Sequence, residues 1–113
     1  MKTNEEILDE FGRILISSVY EFNYSLLLEN IGNNLEYENV KQKARLVTKN
    51  SLESMLFDFL KIFEENEQFK LIYEEDGKQV DLNKISEMLK AEPTIENGWI
   101  ARFSKYAKDE DFQ

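Results

Sequence analysis

Between Ile7 and Leu27, apolar side chains recur at helical spacing over more of the circumference than a surface helix can use. Ile7, Phe11, Ile14, Leu15, Phe22 and Leu26 fall on one side at about 3.6 residues per turn. Ile16, Val19, Tyr20, Tyr24 and Leu27 widen that stripe. A helix this broadly apolar has to be covered by several neighbours, or else carry a contact with a second copy. Thr3 and Glu6 mark its start as a capping box, the hydroxyl taking a free amide of the first turn while the carboxylate reaches back to the cap. Asn30, Gly32, Asn33 and Asn34 tolerate left-handed backbone and close it.

Two further periodic segments follow. From Leu35, the residues Tyr37, Val40, Ala44 and Val47 share one face, with Lys41, Arg45 and Lys49 on another. Leu52, Met55, Leu56, Phe59, Leu60 and Phe63 then repeat at amphipathic offsets, and Asn50 with Glu53 fits a cap pair at their start. The phases nearly match, so one long helix is the alternative to the break expected near Asn50. In FKLIYEEDGKQVDL, Asp76 and Gly77 suit the two left-handed positions of a type I′ turn, which pairs Glu75 with Lys78, Tyr73 with Val80 and Leu71 with Leu82. A lone hairpin is marginal in water, so its apolar face must pack on the helices or find another strand, for which Arg45 to Thr48 is the one weak candidate. Asp81 or Asn83 caps a short helix through Ile85, Met88 and Leu89 that Pro93 stops. Thr94 caps a last helix from about Ile95 to Ala107.

The chain has 113 residues, room for one core, and its four glycines and one proline are too few turn residues for an all-β fold. The expected architecture is mainly α, with β structure only in one small hairpin: a compact single-domain bundle of four or five helices over 1–108, with 109–113 a frayed tail. Its core is expected to draw on Phe11, Leu15, Phe22, Leu26, Val47, Met55, Phe59, Phe63, Ile100 and Phe103.

Function is bounded mostly by what is missing. Without cysteine there is no disulfide, thiolate nucleophile or cysteine zinc site, and without histidine the usual general base and commonest metal ligand are absent. A calcium loop aligned on Gly77 puts Ile72 and Asn83 at its two essential acidic positions, and it fails. The glycines stand singly, so nothing cradles a phosphate. Adjacent carboxylates such as Glu5 and Glu6 diverge by about 100° on a helix, and no pair is set up for acid–base work. No cofactor, metal or catalysis is expected. The amino terminus is acidic where a signal peptide is basic, and no apolar run reaches the ~18 residues that span a bilayer, so a soluble cytoplasmic protein is expected, with no membrane partner.

Net charge is −9, and the acids are spread along the chain. Such a balance repels phosphate backbones, and the basic stripe Lys41, Arg45, Lys49 reads as a solvated face with ion pairs, so no nucleic-acid partner is expected. Glu64, Glu65, Glu67, Glu74, Glu75 and Asp76 form the densest acidic stretch, with Lys70 the one base among them. Solvation alone explains such turn acids. Their functional reading is a surface for a basic protein, as in acidic inhibitors of nucleases, where complementary charge gives fast, salt-sensitive association. Trp99, Phe103 and Tyr106 fall on one helical face, which reads first as a stripe that closes the core; within it Ile100 and Phe103 go inside, while Trp99, in the first turn, and Tyr106, with its hydroxyl, are the two expected at the rim of any grip. The leading expectation is therefore a non-catalytic, immunity- or antitoxin-type binding module. The alternative is a self-associating structural or adaptor domain, a helical homo-oligomer.

Overall fold

The computed structural model describes residues 1–107. It is mainly α with one small antiparallel hairpin. The elements run α1 (Asn4–Leu15), a π-helical turn (Ile16–Glu21), α2 (Phe22–Asn34), α3 (Glu38–Glu65), β1 (Ile72–Glu75), β2 (Lys78–Asp81), α4 (Leu82–Ile85), a 3-10 turn (Leu89–Ala91) and α5 (Trp99–Phe103). The expected tail at 109–113 lies outside the described residues.

The capping box forms as expected: Thr3 Oγ1 accepts from the Glu6 amide at 3.1 Å, and the Thr3 amide donates to Glu6 Oε1 at 2.9 Å. From there, α1, the π turn and α2 continue without a gap. The wider turn, with its i→i+5 bonds, changes which face is inside. Gly12, Ile16, Tyr20 and Tyr24 are all buried at steps of four, a spacing that drifts about 40° per step on a regular helix and that the π turn brings back into line. Phe22 and Leu26, expected in the core on regular α spacing, are consequently exposed.

No break occurs at Asn50. α3 runs for 28 residues, roughly 42 Å, and Asn50 and Glu53 lie inside it, as do Arg45 to Thr48, so no third strand exists among the described residues. Its buried row is Leu52, Leu56 and Leu60, each worth roughly 1.5–3 kcal/mol of burial. Met55, Phe59 and Val47, expected inside, lie on neighbouring or opposite faces and are exposed. Phe63, Phe11 and Phe103 are half-buried against the core, and Leu15 and Ile100 are within it. With Ile7, Leu8, Leu82, Leu89 and Trp99 they complete one cluster in a body of 54 × 26 × 22 Å.

The hairpin has the expected turn and register: Asp76 and Gly77 take positive φ (51° and 79°), and Glu75 faces Lys78 as Tyr73 faces Val80. Its docking answers the question left by the sequence. Leu71, Ile72, Tyr73 and Leu82 meet Ile7, Phe11 and Ile14 of α1. At the edge Lys2 Nζ donates to Tyr73 Oη at 3.1 Å and pairs with Glu10 at 3.2 Å.

The last helix is much shorter than expected. Glu92 and Pro93 carbonyls take the Trp99 and Ile100 amides at 2.9 and 3.0 Å, which folds 92–98 into a tight loop. Asn97 adopts φ 59°, and any side chain at Gly98 would strike the Glu92 carbonyl. Thr94 therefore caps nothing, and α5 begins at Trp99. The indole lands on Gly12, where an added Cβ would stand 2.5 Å from the ring. Phe11 meets it edge-on, with centroids 5.8 Å apart.

Two outcomes in chemical denaturation check this packing. Gly12→Ala is expected to destabilise the fold by about 2–3 kcal/mol through overpacking. Leu60→Ala is expected to cost about 2–5 kcal/mol, whereas Phe59→Ala, with its ring 43% exposed, is expected to cost less than about 2.

Candidate functional site

The six acids of the densest stretch do not form one patch. Glu64 pairs with Lys90 at 3.6 Å, and Glu65 with Lys61 at 3.8 Å. Glu74 accepts from Gln79 Nε2 at 3.1 Å, and Glu75 accepts from Tyr73 Oη at 2.7 Å. That hydroxyl holds the Glu75 carboxyl below the usual carboxylate range. Among the described residues, Glu67 and Asp76 have no ion-pair or side-chain hydrogen-bond partner.

What the fold does bring together is a cleft at the carboxyl end of α3. Glu64 and Glu67 share it with Phe63, Phe69, Lys70, Asp81, Asn83 and Lys84. Asn83 Nδ2 donates to the Phe63 carbonyl at 3.3 Å, which fixes the start of α4 against the end of α3. Asp81 Oδ1 accepts from the Asn83 amide at 3.0 Å, so this third carboxylate is also the cap of α4. Sequence reasoning treated Asp81 and Asn83 as caps and overlooked Phe69, which lies exposed beside the cleft. The available signal was the hairpin register, which places Asp81 opposite Ile72 and hence at the base of the hairpin, near Glu67.

Trp99 is the clearest correction. Expected at the rim, it is 1% exposed, and no partner can touch it in the folded chain. Tyr106 is half-buried: its hydroxyl shares a 2.6 Å hydrogen bond with Ser25 Oγ, and its ring lies 4.7 Å from that of Tyr24. The two residues do not share a helical face, because Tyr106 lies beyond the end of α5. The basic stripe is partly neutralised, by Arg45 with Glu38 at 2.9 Å and Lys49 with Glu53 at 3.6 Å.

A second concavity has no charged residue in its lining. Val19, Tyr20, Asn23 and Leu27 face Leu52, Met55 and Leu56 across an apolar groove of ≈ 220 Å³. Tyr20 Oη, fully buried, has no hydrogen-bond partner among the described residues. Burial pushes its phenol well above the ordinary tyrosine range, with Glu53 and Tyr24 adding to the shift. Among the described residues no group of three or more acids is placed to hold a metal ion, and no helix is long and apolar enough to cross a membrane.

Compared with protein-family models, curated proteins and solved structures, the chain matches none.

Tyr20 carries a pH signature with a definite sign. The fold favours the neutral phenol, so its contribution is complete below the unfolded value near pH 10 and is lost as pH rises above it. Thermal melts from pH 8 to 11 should show Tyr20→Phe falling less steeply than the native chain. At pH 7 the variant is expected to be more stable by about 1 kcal/mol, because it buries no unpartnered hydroxyl.

Proposed function

We propose that this protein is a non-catalytic binding module that captures a basic protein partner, in the manner of an immunity- or antitoxin-type inhibitor. The observation that carries this reading is the cleft of Glu64, Glu67 and Asp81 with Phe69 beside it. A lysine or arginine entering there meets Glu67, which has no ion-pair partner among the described residues, beside Glu64 and Asp81, which are shared with Lys90 and the Asn83 amide, and an apolar neighbour finds an exposed ring. Lys70 and Lys84 share the cleft, but their long stems let the ammonium groups swing outward as a competing cation enters. The −9 charge of the whole chain adds long-range attraction for a basic surface and repels phosphate backbones. A cytoplasmic location and an absence of cofactor, nucleic-acid and membrane partners belong to the same reading, supported by the residue types the chain lacks.

Affinity capture on the immobilised native chain, followed by titration of the captured basic protein, tests it. Raising salt from 50 to 500 mM is expected to weaken binding at least about tenfold, and Glu67→Lys to weaken it comparably at low salt. Failure to capture any basic protein counts against the reading. So does a captured one that ignores both salt and the substitution.

A further inference from the structure

The uncharged groove lies on the side of the long helices that the carboxyl-terminal segment leaves bare. On α2, Ser25 takes Tyr106, while Asn23 and Leu27, two residues to either side, stand about 200° away around the helix. On α3, Phe57 lies under Lys90 with 5.5 Å to its ring, and Met55, again two residues away, lines the groove. From Met55 the row continues along α3 through Phe59 and Ile62, all within a sector of about 60°. Val19, Leu27, Met55, Phe59 and Ile62 are between 39% and 63% exposed.

We propose that this face packs against the same face of a second copy, giving a two-fold homodimer. Charge selects that occupant. None of the seven groove residues is charged, in a chain of net charge −9, so two copies can meet here without opposing carboxylates. A basic helix would find no acid in the groove to pair with. Asp58 borders the α3 row three residues from Met55 and four from Ile62, at the rim, where a carboxylate stays hydrated. Area agrees: the five side chains expose roughly 400 Å² of apolar surface, taking ~150–200 Å² for a fully exposed side chain of this size. A stable homodimer face of ~800 Å² is about two-thirds apolar, so these five with the groove floor come close to filling that share. A two-fold contact is closed and self-complementary, as one groove between two helices requires.

None of the cleft residues is used, so this proposal stands or falls apart from the capture of a basic partner. Light scattering after size exclusion, at 10 to 300 µM protein, is expected to give a mass rising towards twice 13.4 kDa and holding at 500 mM salt. Met55→Glu is expected to raise the dimer dissociation constant at least about tenfold, with an unchanged far-ultraviolet circular dichroism spectrum. Ile62→Lys, at the far end of the row, gives the same result independently of how Met55→Glu folds. Leu46→Glu, nine residues from Met55 and so on the opposite face of α3, is expected to leave the dimer intact. A native chain that stays at 13.4 kDa up to 300 µM overturns the proposal. Dimers that survive both Met55→Glu and Ile62→Lys, or that Leu46→Glu splits as readily, overturn it as well.

Discussion

The contact of Trp99 with the bare backbone of Gly12 sets the position of α5 and of the segment that follows it. With no Cβ at Gly12, the indole lies against α1, and a ring of that size left only 1% exposed contributes more apolar area than any other single side chain in the core. Gly98 makes the approach possible by letting the loop before it close on the Glu92 carbonyl. Once the indole is seated, Arg102 reaches Asp9 with both terminal nitrogens, at 3.0 and 2.9 Å, and Asn97 O with Nε at 2.8 Å. The chain is then aimed along the first long helix, where the Lys105 amide meets Glu21 and Tyr106 meets Ser25. The Trp99 stretch is thus a clasp that closes the fold.

Local chemistry was legible in the sequence, and phase was not. The capping box at Thr3, the positive-φ turn at Asp76 and Gly77 and the hairpin register each depend on a few adjacent residues and were read correctly; of the two caps offered for the next helix the structure uses Asp81, and that helix ends at Ile85, short of Met88 and Leu89. Phe22, Leu26, Met55 and Phe59 were misplaced because burial depends on rotation accumulated over several turns. One π turn is enough to move Phe22 and Leu26 outward, and nothing in ISSVYE announces it. On α3, two apolar rows lie side by side, and only the identity of the covering element decides between Leu56 and Met55. The continuity of α3 through Asn50 follows the same logic. A capping residue is a signal only where the helix has some other reason to stop, and the matching phases on either side gave it none.

The acidic stretch was legible in composition, but its grouping in space was not. The acids between Glu64 and Asp76 are close in sequence, yet the hairpin carries Glu75 towards Tyr73 and Lys2 on the α1 side, while Glu64 and Glu67 line a cleft with Asp81. Proximity in sequence does not survive a hairpin that docks on a different helix from the one preceding it. The width of the first apolar stripe was the better clue. It exceeded what one covering layer could use, and the structure shows the excess as Val19 and Leu27 at the mouth of the groove.

The two proposed contacts, at the acidic cleft and at the uncharged groove, would respond to ions in opposite ways. A cleft of carboxylates gains from the field of the whole chain, and that gain fades as the Debye length shrinks from about 10 Å at 0.1 M salt to about 3 Å at 1 M. Two copies of a −9 chain meeting at the uncharged groove, as proposed, would work against that same field. Screening removes the repulsion while leaving the apolar gain intact, so the proposed self-association would strengthen with added salt as the proposed hold on a basic partner weakens. Acids are crowded at the end of α3 and on the hairpin, and they are absent from the strip between Val19 and Met55, where a single carboxylate would have to be desolvated against its own copy.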